Sequence, residues 1–210
     1  MTSVLNRLAY SQNRRDEVPN QVLARDLAAR KDMAGIREIV ENLRNKNKNI
    51  QADCIKVLYE IGYVNPDLIA SYAEDFFSLL KSKNNRLVWG GMIALSTIAA
   101  VRAEILFAHI AEIQKAMKTG SVITVDNAVA TLARVASVGD KYNQAIFPFL
   151  LQNLKSCRPK DVAQHAEKSM PSVTTSNNAQ FIKVLERRME DLSGSGLTRV
   201  KKVIKQAHSR

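Results

Sequence analysis

Four cations occupy one position of a repeat in this sequence: Arg44, Lys81, Lys118 and Lys155 follow one another at intervals of 37 residues. Lys83, Arg86, Lys115 and Arg158 stand close to members of that series, and Lys46, Lys48 and Lys160 thicken it. Regularly spaced Lys and Arg can follow a phosphate backbone, because each contact releases condensed counterions whatever the base sequence, or they can hold an acidic protein surface. A second reading explains the same residues without any ligand. Lys and Arg are favoured in the last turn of any helix by the negative end of its dipole, and a repeated helix end repeats its cation. The formal net charge of +11 biases the chain toward anionic partners, and it does so under either reading.

The remaining inventory offers little chemistry. His109, His165 and His208 are scattered, with no carboxylate or cysteine at ligand spacing, so zinc and a Cys-His pair find no support. Neither GxxxxGK[ST] nor GxGxxG occurs. Asp53, Glu60, Glu74, Asp75, Glu112 and Asp126 could supply an acid, but the single tryptophan, Trp89, lies in the most apolar stretch and reads as core before it reads as a base-holding ring. No catalytic, cofactor-binding or metal-binding residue is assigned, and the expectation is a protein that is not an enzyme and needs no cofactor.

The elements that must position the cations are written in the same period. Leu43, Leu80, Met117 and Leu154 form one column, Ile39, Phe76, Ile113 and Leu150 a second, and Ile36, Ala73, Ile110 and Phe147 a third. Earlier in each unit stand Ile55, Met92 and Val129; Leu58, Leu95 and Leu132; Ile61, Ile98 and Val135. Two apolar helical faces per 37 residues, joined by short polar segments, are the pattern of stacked helix pairs. Gly62 reads as a C-terminal glycine stop, and Asn65-Pro66-Asp67 as the entry to a helix running to about Lys81. The run from Val88 to Ala100 has no polar face and belongs between two layers, with Gly90 and Gly91 marking a close helix contact. Ala103 to Met117 reads as one helix, and Pro148 should kink the following partner helix or delay its start.

With those columns in hand, the chain resembles the HEAT and armadillo class of helical repeats across about residues 20–192. The fold that follows is all-α, a right-handed alpha-alpha superhelix (a HEAT-like solenoid) of about five helix pairs. Residues 1–19 form an N-terminal tail or short cap helix, and 193–210 a Gly/Ser linker with a basic C-terminal helix that either docks as a cap or stays a mobile arm. The resemblance implies a non-enzymatic binding or scaffold protein with an extended repeat surface for a protein partner. Its alternative is nucleic-acid or polyanion binding along the basic edge, including a DNA glycosylase of HEAT-like build. On the inner face Tyr72, Phe77, Gln114 and Leu151 are groove candidates, and Phe77 and Leu151 could equally meet the adjacent layer. Cys54 and Cys157 fall at unrelated repeat positions and read as thiols of a reduced, cytoplasmic protein, while the absence of a long uncharged apolar window argues against membrane insertion.

Overall fold

In a computed structural model describing residues 3–210, all regular secondary structure is helical. The chain divides into two compact units, residues 1–127 and 128–210. The first holds α1 (Val18–Arg30), α2 (Met33–Glu41), α3 (Lys48–Val64), α4 (Ala73–Leu79), α5 (Asn85–Ile98), α6 (Ala103–Ala108) and α7 (Ile110–Thr119). The boundary falls within α8 (Val122–Ala136), and the second unit continues with α9 (Asp140–Ser156), α10 (Pro159–Ser169), α11 (Asn178–Arg188) and α12 (Gly194–Ala207). With α6 and α7 counted as one interrupted helix, the described residues make five helix pairs and a closing helix.

The joints that look like plain polar loops are helix starts. The Asn47 side chain accepts the Asn49 N–H at 2.9 Å to open α3, and Asn84 accepts the Arg86 N–H at 3.1 Å to open α5. Both follow from the caps' short side-chain oxygens satisfying first-turn donors that have no helical partner. These positions are one period apart, and the next in the series, Ser121, receives the Thr124 N–H at 3.4 Å as α8 begins. The loops therefore carry the repeat as faithfully as the apolar columns do.

Within the first unit α5 packs against both α3 and α4, as its lack of a polar face requires. Ile55, Leu58, Ile61, Met92, Leu95 and Ile98 are buried between these layers. Gly62 does not end its helix: α3 continues to Val64, and a Cβ at Gly62 would lie 2.1 Å from Thr97 Oγ1 on α5. Gly90 faces back in the same way, its Cβ position 2.7 Å from Ile55 Cγ1. The missing side chains bring the two backbones together, which compensates the helix-propensity cost of about 1 kcal/mol per glycine.

The second helices of the repeat are broken where continuous ones are expected. Two 3-10 turns, Pro66–Leu68 and Ala70–Tyr72, precede α4, and α6 is separated from α7 at His109. The interruptions fall at Tyr72 and His109, one period apart, with nearly identical backbones (φ −98°, ψ 20° and φ −98°, ψ 18°). That bridge-region geometry ends one run of helical hydrogen bonds and starts another.

The N-terminal segment is folded rather than loose. Leu8 and Ala9 are buried between two 3-10 turns, the Ala9 N–H donates to Asn20 Oδ1 at 2.9 Å, and the Tyr10 N–H donates to Asp53 Oδ2 at 2.7 Å. Met1 and Thr2, part of the expected tail, lie outside the described residues.

In the second unit, α9 starts at Asp140 and runs through Pro148, so the proline does not delay it. Phe147, Leu154, Val162, Phe181, Leu185 and Val200 build its core. The segment read as a Gly/Ser linker is the first turn of α12, with Gly194 at φ +53° taking the left-handed conformation that glycine adopts without strain. Val200, Val203 and Ala207 are buried and α12 packs on α10 and α11. No described helix is long and apolar enough to cross a membrane.

Candidate binding surface

The cation series has a second register facing it. Arg44 Nη2 lies 2.9 Å from Asp75 Oδ1, and Lys81 Nζ lies 3.0 Å from Glu112 Oε2. Asp75 and Glu112 are themselves one period apart, so each cation at the end of a second helix meets a carboxylate on the second helix of the next repeat. The next carboxylate position is Phe149, and the series stops. Lys118 is exposed with no carboxylate at ion-pair distance among the described residues. Arg86 lines a polar cavity of about 380 Å³ with Arg14, Arg15, Asn49 and Asp53. In the second unit Lys155 is exposed and Arg158 pairs with Asp161 at 2.6 Å.

Glu112 is the hub of a wider cluster. Its Oε1 contacts His109 Nδ1 at 2.8 Å, and His109 Nε2 reaches Glu74 Oε1 at 3.1 Å. The imidazole also stacks on Phe77, with ring centroids 4.4 Å apart. His109 is thus not the isolated histidine that the sequence suggests, and Glu74 and Asp75 both have partners. The His109 contact first, and the Lys81 ammonium second, hold the Glu112 carboxyl below its ordinary pKa. Lys81 Nζ is the partner of the otherwise unbonded Glu112 Oε2. Among the described residues no group of three or more His, Cys, Asp or Glu is placed to hold a metal.

Lys81, Lys83 and Lys115 line a two-part depression by the ends of α4 and α7, Lys83 in one part and Lys81 and Lys115, with Glu112, in the other. It has two adjoining parts, of about 250 and 410 Å³, which share Leu80, Ala116 and Thr119 as their common wall. Leu80 belongs to a core column whose other members, Leu43, Met117 and Leu154, are buried, yet Leu80 itself is only partly covered. The four groove candidates do not form such a surface. Phe77 is 2% exposed beneath His109 and Leu151 is 7% exposed in the second unit's core, so both meet neighbouring layers, while Tyr72 and Gln114 are half-buried.

Aromatic rings gather elsewhere in the first unit. Trp89 is half-buried with its ring centroid 6.4 Å from that of Tyr59, which also contacts Tyr63 edge-on at 6.0 Å. Lys56 sits 4.8 Å above Tyr59 and bridges Glu17 and Glu60 at 2.9 and 2.8 Å. Burial pushes the Tyr59 phenol and the Cys54 thiol up to about 12, leaving both neutral at ordinary pH. Cys54 and Cys157 are free thiols. The 59/63 spacing is an ordinary helical neighbour pair that the sequence does display; the Trp89 contact, out of register with the repeat, is not legible there.

No family model matches the chain, and no curated protein matches it. Solved structures do. A designed armadillo repeat protein in complex with the peptide (KR)4 superposes with a TM-score of 0.67 at 14% identity over 99% of each chain. An engineered protein superposes at 0.64 with 17% identity over the whole of both chains. Armadillo repeat proteins computationally designed for modular peptide recognition give 0.63 at 14% identity, covering 91% of this chain and 94% of theirs. The fold is an all-α helical-repeat solenoid of the armadillo/HEAT-like kind.

Proposed function

We propose that this protein is a non-enzymatic scaffold that binds a protein partner on its helical-repeat surface. The observation that carries this reading is the pairing of Arg44 with Asp75 and of Lys81 with Glu112. A phosphate-tracking edge relies on cations free to displace counterions. Here two of the four repeat cations already face carboxylates, giving a mixed-charge edge interrupted by apolar surface, which suits a polypeptide better than a nucleic-acid backbone. The armadillo repeat designs with the same fold include one complexed with a basic peptide, (KR)4. A chain of net charge +11 calls for a partner segment of the opposite sign. The two free thiols accord with a cytoplasmic setting.

The test is affinity capture with the tagged 210-residue chain from a nuclease-treated lysate of the native host, followed by reconstitution from purified components. A polypeptide that re-forms a defined complex supports the scaffold. Nucleic acid that copurifies without nuclease, with no polypeptide able to reconstitute, contradicts it.

A further inference from the structure

We infer that the depression between the ends of α4 and α7 is the docking site for an acidic peptide segment that carries an apolar side chain. The inference rests on the scaffold reading and names the place and the chemistry of contact. Three features of the depression select this occupant.

Its shared wall offers apolar surface. Leu80 and Ala116 lie in the wall shared by the two parts, and Leu80 is the member of its column that the fold leaves partly uncovered. A buried leucine contributes roughly 1.5–3 kcal/mol by leaving water, so an exposed one at a core register position is a ready seat for an apolar side chain from outside.

Its rim is positive after internal pairing. Lys83 lines one part and Lys81 and Lys115 the other, and Glu112, paired with Lys81, is the one carboxylate among the lining residues. Glu112 is already committed to His109 and Lys81. Lys83 and Lys115 are exposed, and among the described residues neither has a carboxylate at ion-pair distance. Carboxylates from a partner therefore have two unpaired ammonium groups to meet, beside an apolar wall that a phosphodiester chain cannot use.

Its walls are held in place. The His109 ring is stacked on Phe77 and bridged to Glu74 and Glu112, which fastens α4 to the α6/α7 junction. A preset site loses less ordering entropy when a peptide enters.

Fluorescence anisotropy with a labelled nonapeptide, two leucines set among Asp and Glu residues, tests the inference at about 0.15 M salt, where only charges within about 8 Å act strongly. The wild-type chain should bind it saturably. Lys83→Glu with Lys115→Glu should weaken binding by at least about tenfold, whereas Lys201→Glu with Lys202→Glu on α12, an equal change in net charge, should alter it by less than about threefold. Replacing the peptide's leucines by glycine should also weaken binding by at least about fivefold. Circular dichroism of each variant confirms the helical fold. No binding of the nonapeptide, equal losses in the two charge-reversal variants, or indifference to the leucines would each overturn the inference. So would a dT20 strand that binds more tightly than the peptide with the same dependence on Lys83 and Lys115. If a captured polypeptide partner still binds the Lys83/Lys115 variant, the docking site is wrong while the scaffold stands; if no partner is captured, the scaffold itself fails.

Discussion

In the first unit, successive second helices are tied by exposed ion pairs, Arg44 to Asp75 and Lys81 to Glu112. In the second unit, beside exposed pairs such as Arg199 with Glu167, there are buried polar ties directed at the backbone. Arg188, only 11% exposed, donates to the carbonyls of Leu154 at 2.6 Å and Cys157 at 2.9 Å, closing the end of α9. Asn143 donates to the carbonyls of Ala136 at 3.2 Å and Ser172 at 2.8 Å, and accepts from Asn177 at 3.0 Å. Exposed pairs contribute about 0–1 kcal/mol each, but removing one partner of a buried hydrogen bond costs about 1–3 kcal/mol and more for charged groups. The contrast separates two uses of the same residue types. Arg188 and Asn143 hold helices, whereas Arg44 and Lys81 are cheap, rearrangeable charges at the surface, where a partner can reach them.

The largest effects should therefore come from the second unit. Arg188→Ala and Asn143→Ala should each destabilise by about 2–3 kcal/mol in urea unfolding, because each leaves two carbonyls without their side-chain donor. A loss below about 0.5 kcal/mol for either would place these groups in the same class as the surface pairs and break the comparison.

Gly62→Ala should cost about 1–3 kcal/mol through overpacking against Thr97, with the helix content unchanged. Unaltered stability would mean that α3 and α5 can separate at little cost, and the first unit would be looser than its packing implies.

A double-mutant cycle on Arg44→Ala and Asp75→Ala should return a coupling of about 0.2–1 kcal/mol that fades with added salt. A coupling above about 2 kcal/mol would make the pair a structural tie like Arg188.

The smallest effect is the acid limb of the stability curve. Glu112 has a folded-state pKa below the ordinary carboxylate value. Its contribution is therefore fully present above the unfolded value of about 4.3 and disappears as pH falls through the lower folded value. Glu112→Gln should flatten stability against pH only in that acid window, by a fraction of a kcal/mol. The same treatment of Glu167, held low by Arg199, should give a similar slope in the second unit. A slope for Glu112 that persists into neutral pH would contradict the assignment.

The helix pairs were legible in the sequence because burial enforces the apolar columns, and the 37-residue register survives in them from Leu43 to Leu154. The Gly90 close contact was equally readable, since glycine in an apolar helix has few other reasons. Gly62 misled because a glycine near a helix end and a glycine at a helix crossing look alike until the partner helix is placed. The breaks at Tyr72 and His109 left no mark in the apolar pattern, as their interruption is of backbone geometry and leaves the buried face in phase. As for the candidate surface, the cation series could be read, but its neutralisation by Asp75 and Glu112 could not. Those carboxylates lie 31 residues further along, on the next repeat, and become partners only when the period is converted into adjacent helices. That Leu80 stays only partly covered is a tertiary outcome that no local spacing encodes.

Hydrogen exchange of the 210-residue chain with and without the leucine-bearing acidic nonapeptide tests the central claim most directly. Added protection should be confined to the amides around Leu80 to Lys83 and Lys115 to Thr119, and should vanish in the Lys83→Glu/Lys115→Glu variant. Protection centred on α12, or none at saturating peptide, would contradict it.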